Sequence, residues 1–204
     1  IFTNQWHQVH VVKVEKAHNK KHLNKSIADI AAETNSDPIA TILDLAIDEN
    51  LEMGITLSVI NTNPDEVREL ITHPDCLIGL SDAGAHVDQH CDAGVPTYLL
   101  GEWVRKRGAM TLEEGVRRLT SEPATFLNQP HKGRLASGCD ADLVIFDPDT
   151  IGPRPPEWVN DLPGDKPRLI EHATGVQHTI VGGNIVFSDN VHQGGLPGSV
   201  LRPV

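Results

Sequence analysis

The sequence has no long apolar run, no paired cysteine motif and no excess of basic residues. No stretch approaches the roughly 20 consecutive apolar residues of a membrane-spanning helix. That absence predicts no membrane partner. With 17 basic and 28 acidic residues, the formal net charge is −11, so we expect no nonspecific nucleic-acid binding. The odd cysteine count argues against a disulfide framework and predicts a reducing, cytoplasmic location; the cysteines are Cys76, Cys91 and Cys139.

The length of 204 residues suits one large domain or two small ones. The chain begins at Ile1 without a methionine and continues directly with Phe2-Thr3-Asn4-Gln5-Trp6. We therefore expect it to be a piece of a longer protein.

Apolar periodicity and turn residues predict alternating helices and strands in the first part of the chain. The predicted order is a strand at 10–14, a helix after Ser26, a helix from Pro38 to Glu49, a strand at 54–60, a helix from Asn63 to Pro74, and a strand at 76–80. The last three elements predict a βαβ unit with parallel strands. Farther on, we expect a helix from Pro96 to Arg107, a second one capped by Thr111 and Glu114, and a turn from Pro123.

The pattern changes near Gln129. Short strand signals at 142–147 and a hairpin at 179–187 with a Gly182-Gly183 turn replace the helical periodicity. The proline-rich stretch 148–167 is predicted to be irregular. We therefore predict an α/β part over residues 1–129 and a small β module over residues 130–204.

Asp82 is the main candidate for chemistry. It follows the apolar run Leu77, Ile78, Leu80, which is typical of a buried strand. In parallel α/β sheets and barrels, ligands bind beyond the carboxyl ends of the strands. The alternative, which position alone leaves open, is that Asp82 caps a helix or closes an Asx turn.

Several motifs, in order along the chain, resemble the amidohydrolase superfamily, and within it the N-acyl-D-amino-acid deacylases (D-aminoacylases). They are Ser81-Asp82-Ala83-Gly84-Ala85-His86, Thr120-Ser121-Glu122-Pro123-Ala124, Gly133-Arg134-Leu135 and Ala141-Asp142-Leu143-Val144-Ile145-Phe146-Asp147. The resemblance implies the C-terminal part of a metal-dependent (β/α)8 TIM barrel, followed by part of a small β-sandwich domain. It also implies one or two zinc ions and a small N-acyl amino acid as substrate.

By this resemblance, Asp82 matches the aspartate that ends the eighth barrel strand, binds the metal and takes the proton of the attacking water. His86 matches in spacing a histidine that related dihydroorotase-like enzymes place near the substrate carboxylate. For His86 the alternative is a histidine on a surface loop.

The sequence departs from the family pattern because it has no His-X-His pair. A zinc site needs about three protein ligands, and the chain offers Asp82 alone. We therefore expect this chain by itself neither to retain zinc nor to hydrolyse a substrate. The segment 86–92 is dense in potential ligands, but Gly84 and Gly94 frame it as a loop, so a local zinc site there is the less favoured interpretation.

Two other functions stay open. The parent protein could instead hydrolyse a cyclic amide, as hydantoinases and dihydroorotases do. The chain could also be a non-catalytic structural module, in which case unpartnered strand edges and apolar faces predict self-association.

Overall fold

The computed structural model describes residues 4–58, 60–79, 81–84 and 86–202. They form two compact units, Ile1–Val67 and Arg68–Val204. The chain mixes helices with short strands, as expected, but every strand pair in these ranges is antiparallel. No helix in the described ranges is long and apolar enough to cross a bilayer. The predicted boundary at residues 129 and 130 falls inside the second unit and stays a prediction.

The first unit packs two helices against a two-stranded sheet. Its elements are β1 (Val9–Lys13), α1 (Ile27–Thr34), α2 (Pro38–Asp48) and β2 (Gly54–Leu57). Val9 and Val11 of β1 and Ile27 and Ile30 of α1 form the buried core. Ser26 caps α1 by accepting the Asp29 N–H at 3.0 Å. The helices predicted from Ser26 and Pro38 are thus confirmed.

The predicted βαβ unit is wrong. The helix α3 (Pro64–Thr72) begins after Asn63, as predicted, and Asn63 Oδ1 accepts the Asp65 N–H at 3.0 Å. However, β2 pairs antiparallel with β1, and residues 76–79 form no strand; Leu80 lies outside the described residues. Apolar composition favours burial of a segment, but a strand also needs a neighbour with free backbone groups, which residues 76–79 do not find in the described chain.

The helices of the second unit pack around a small apolar core. They are α4 (Val95–Tyr98), a π-helix that continues it over Leu99–Lys106, α5 (Leu112–Leu119) and α6 (Ser121–Phe126). Leu100 and Val104 of the π-helix pack with Ile151. The helix predicted from Pro96 to Arg107 is confirmed, although most of that segment is a π-helix. Thr111 caps α5 as predicted by accepting the Glu114 N–H.

The second unit also contains short antiparallel strands after residue 142. They are β3 (Leu143–Phe146), β4 (Gly152–Pro153), β5 (Glu157–Leu162), β6 (Lys166–Ile170), β7 (Ala173–Thr174), β8 (Val176–Val181), β9 (Asn184–Ser188) and β10 (Val191–His192). The order β10-β9-β8-β3 forms a four-stranded sheet. Gly182 and Gly183 connect β8 to β9 with φ of 54° and 79°, which confirms the predicted hairpin. The irregular stretch predicted at 148–167 is wrong, because β4, β5 and the start of β6 lie there.

A buried arginine links α5 to the end of α3. Arg118 is 2% exposed, and its guanidinium donates to the carbonyl oxygens of Thr72 (3.0 Å), His73 (3.1 Å) and Cys76 (3.0 Å). Its Nε donates to Glu114 at 2.9 Å. The last carbonyls of a helix have no partner within the helix, so Arg118 supplies donors to the end of α3 and to the turn that leads towards Asp82.

We expect Arg118→Met to lower the free energy of unfolding by about 3 kcal/mol, since the partly buried carbonyls of Thr72 and Cys76 lose their donor and Glu114 loses one of its cations. Urea denaturation followed by circular dichroism at neutral pH measures this change. Arg117→Met is the matched control, because Arg117 is more exposed and binds the same Glu114. An equal loss in both variants would contradict the role given to the three carbonyl bonds.

The end of α2 carries a second polar cluster. Asp48 accepts hydrogen bonds from Asn19 (2.6 Å) and Lys16 (3.1 Å), and its Oδ2 lies 2.7 Å from His18 Nε2. The Asn19 bond, followed by those of Lys16 and His18, lowers the pKa of Asp48 to about 2. The neighbouring Glu49, 1% exposed, accepts from the Lys16 N–H and from Asn19. Together the two carboxylates hold residues 15–19, which lead into the 3-10 helix Ala17–His22 before α1.

A pKa below the unfolded value of about 4 means that ionised Asp48 stabilises the fold above pH 4. This contribution is lost as the pH falls towards 2, because Asp48 must then take up a proton. We expect Asp48→Asn to flatten the fall in unfolding free energy over that range, measured by urea denaturation at several pH values. Asp44→Asn, on the exposed face of the same helix, should keep the original slope; equal slopes for all three proteins would contradict this assignment.

Candidate functional site

Asp82 lies in an exposed turn with a left-handed backbone, φ 61°. Aspartate tolerates this conformation better than most residues. The local side-chain turn is made by Ser81, whose Oγ accepts the Ala83 N–H at 3.3 Å. Within the described residues the Asp82 carboxylate has no hydrogen bond or ion pair, so neither a helix cap nor an Asx turn to Gly84 is formed. Because Asp82 is exposed, a metal ion or another ligand can reach its carboxylate.

His86 lies in the next turn, also exposed and with a positive φ of 49°. Its carbonyl oxygen accepts the N–H groups of Gln89 (2.7 Å) and His90 (3.2 Å). The imidazole rings of His86 and His90 have their centroids 6.3 Å apart and are tilted by 58°. His90 Nδ1 also lies 3.4 Å from Asp92 Oδ2. An exposed imidazole can bind an anion, but it also fits a surface loop, so the role of His86 stays a prediction.

Two hydrogen bonds hold the loop 86–94 to a distant part of the chain. The Leu169 N–H, in β6, donates to the Val87 carbonyl at 2.7 Å. Glu171 Oε2 accepts the Gly94 N–H at 2.8 Å. Sequence reasoning missed both contacts, because Glu171 is 77 residues from Gly94 and no local pattern links them. A strand prediction for 157–170 would have been the first signal.

The described residues do not form a complete metal site. No group of three His, Cys, Asp or Glu side chains in these ranges could hold an ion, whereas a zinc site needs about three protein ligands. The grouping at His86, His90 and Asp92 does not meet this condition either. Asp82 fits the chemistry of a single oxygen ligand, and we derive no further geometry for a metal.

Two cavities, of about 290 and 320 Å³, lie beside α6 and the loop after it. Both are lined by Gln129 and Lys132, and neither by Asp82 or His86. Lys132 is engaged by Asp140 at 2.8 Å and by Asp142, and these contacts raise its pKa. Lys132 therefore stays protonated, and its charge is balanced by the two carboxylates.

The sequence is similar to known proteins over most of its length. The amidohydrolase family matches residues 6–187. N-acyl-D-glutamate deacylase from Alcaligenes xylosoxydans xylosoxydans is 33% identical over 183 residues, which are 87% of this chain and 33% of that protein.

Two solved structures are also similar to this chain. The crystal structure of N-acyl-D-glutamate deacylase from Bordetella bronchiseptica, complexed with zinc and a phosphonate inhibitor, is 27% identical with a TM-score of 0.47, over 90% of this chain and 35% of that one. A structure of D-aminoacylase, from work on its binuclear metal centre, is 20% identical with a TM-score of 0.50, over 92% and 36% of the two chains. The chain thus spans about a third of the length of these relatives. Because the family match extends over nearly the whole sequence, the chain belongs to the amidohydrolase family.

Proposed function

We propose that the chain is the C-terminal part of a zinc-dependent hydrolase that cleaves the amide bond of N-acyl-D-amino acids. Residues 1–129 would belong to its (β/α)8 barrel and residues 130–204 to the following β-sandwich. The observation that carries the proposal is the exposed Asp82 carboxylate, without a partner in the described chain, in a sequence 33% identical to an N-acyl-D-glutamate deacylase.

Asp82 has the chemistry that amide hydrolysis requires. A water molecule must lose a proton to attack the carbonyl carbon, and the leaving nitrogen must gain one before the C–N bond breaks. A single carboxylate can accept the first proton and return it to the nitrogen, which yields a carboxylate and an amine. A zinc ion, when bound, would lower the pKa of the attacking water. Asp82 would be one of its ligands.

His86 would contact the substrate rather than the reacting atoms. N-acyl amino acids carry a free carboxylate, and an exposed imidazole N–H can donate a hydrogen bond to it. Because the chain itself offers a single ligand, we expect the 204 residues alone to be inactive.

We expect Asp82→Asn in the complete protein to lower kcat/KM for N-acetyl-D-glutamate by about 10²- to 10⁴-fold, because the proton acceptor is lost. Steady-state release of the free amino acid measures it. Asp88→Asn is the matched control, since Asp88 is also an exposed carboxylate in this loop region. Near-normal turnover by Asp82→Asn would reject the catalytic role.

The same assay separates the substrate classes. We expect N-acyl-D-amino acids to be hydrolysed faster than a six-membered cyclic amide such as dihydrouracil. Faster opening of the cyclic amide would instead support the hydantoinase-like alternative, and no turnover of either would leave the structural-module interpretation.

A further inference from the structure

The loop 86–94 is bound along one edge of the β5–β6 hairpin. In that hairpin Leu169 stands opposite Trp158, while the Leu169 N–H points the other way and donates to Val87. The loop is therefore bonded at Val87 to the edge of β6 that faces away from β5. Val87 directly follows His86, so this bond fixes the backbone beside the predicted substrate contact.

At the other end of the loop, the backbone of Gly94 lies too close to its neighbours to leave room for a side chain. A Cβ atom on Gly94 would lie 2.7 Å from Glu171 Oε1 and 2.8 Å from Pro153 Cβ, both far inside ordinary contact distance. Glu171 is half-buried, and its second oxygen accepts the Gly94 N–H. The glycine is required here because of the close approach and not because of its φ, which is −79°.

The stretch that holds the loop is itself well anchored. Arg168 forms a bidentate ion pair with Asp161 across the hairpin, in which its Nε and Nη2 donate to the two carboxylate oxygens at 2.6 and 2.7 Å. After Glu171, the His172 carbonyl accepts the Arg154 N–H at 2.8 Å, and Ala173 pairs with Pro153 between β7 and β4. Residues 166–174 thus have paired neighbours on both sides of Glu171.

We propose that Glu171 is a positioning residue, which acts with Leu169 to hold the loop 86–94 and so sets the place of His86 for binding the substrate carboxylate. This inference rests on the proposed function. Glu171 takes no part in proton transfer. Its carboxylate restricts the conformations of the loop in the absence of substrate. Because the loop is already ordered in the free protein, substrate binding does not carry the entropic cost of ordering it.

The kinetic test uses the complete protein with N-acetyl-D-glutamate. We expect Glu171→Ala to raise KM about tenfold while kcat changes less than about twofold, because ground-state binding is weakened and the chemistry is untouched. Glu171→Gln should restore most of the KM, since its amide oxygen can still accept the Gly94 N–H. The control Glu157→Ala removes a carboxylate of the same hairpin whose contact is His172 at 3.4 Å, and we expect it to leave both constants unchanged.

A second measurement separates this proposal from the proposed function. Hydrogen–deuterium exchange of the complete protein reports on amides 86–94 without any substrate, and we expect faster exchange there in Glu171→Ala, but neither in Glu171→Gln nor in Glu157→Ala. Unchanged exchange in Glu171→Ala would overturn the proposal, as would faster exchange with an unchanged KM. If the unmodified protein hydrolyses no N-acyl-D-amino acid, the proposed function fails, and with it the substrate role of His86, whereas the exchange result still decides whether Glu171 holds the loop.

Discussion

The chain that leads to Asp82 is held in place by hydrogen bonds from Arg118 to backbone carbonyl groups at the end of α3 and just after it. The last carbonyls of a helix have no partner within it, and in this chain one guanidinium donates to the carbonyl of Thr72 and to those of His73 and Cys76 in the turn that follows. Arg118 is suited to this task because its five N–H groups form a rigid planar fork. A lysine at this position would offer a point charge without the same directions. The start of the segment that carries Asp82 is therefore set by a side chain 42 residues away from Cys76.

The far end of the same segment is held by a different means. Between Asp82 and α4 the chain has no regular element in the described residues, so its order comes from bonds to β6 and Glu171. The two anchors have different chemistry: a cation binds carbonyls before Asp82, and a carboxylate binds an N–H after His86. Each anchor belongs to the second unit, so the candidate site residues and their supports lie within one compact part of the molecule.

Much of this fold could be predicted from local sequence signals. The caps at Ser26, Asn63 and Thr111 mark true helix starts, and the two glycines at 182 and 183 mark a true hairpin. Local patterns failed where pairing depends on distant partners. The apolar run after Cys76 has the composition of a strand but no strand neighbour in the described chain. Conversely, residues 157–170 are polar and rich in turn formers, yet β5 and β6 bond to each other across a short connection.

The candidate site divides in the same way. A motif was sufficient to select Asp82 and His86, whose roles stay predictions, because residue identity and spacing are visible in the sequence. Glu171 could not be selected, since its only signal is a contact made 77 positions away. Residues that touch ligands tend to stand in recognisable motifs, while the residues that hold them in place are dispersed, which is why the supporting shell of a site has to be read from coordinates.

The π-helix at Leu99–Lys106 places a limit on insertions and deletions in this part of the chain. Its turns close with bonds such as the one from the Arg107 N–H to the Glu102 carbonyl at 2.9 Å, five residues back instead of four. One residue fewer would let the segment wind as an ordinary α-helix, and every side chain beyond the change would rotate by about 100° around the axis. Trp103 and Val104 would then leave the interior, and Gly101 would no longer meet the Ile151 carbonyl. Homologues with a shorter segment here must therefore have rebuilt the contact between this helix and the strands beneath it.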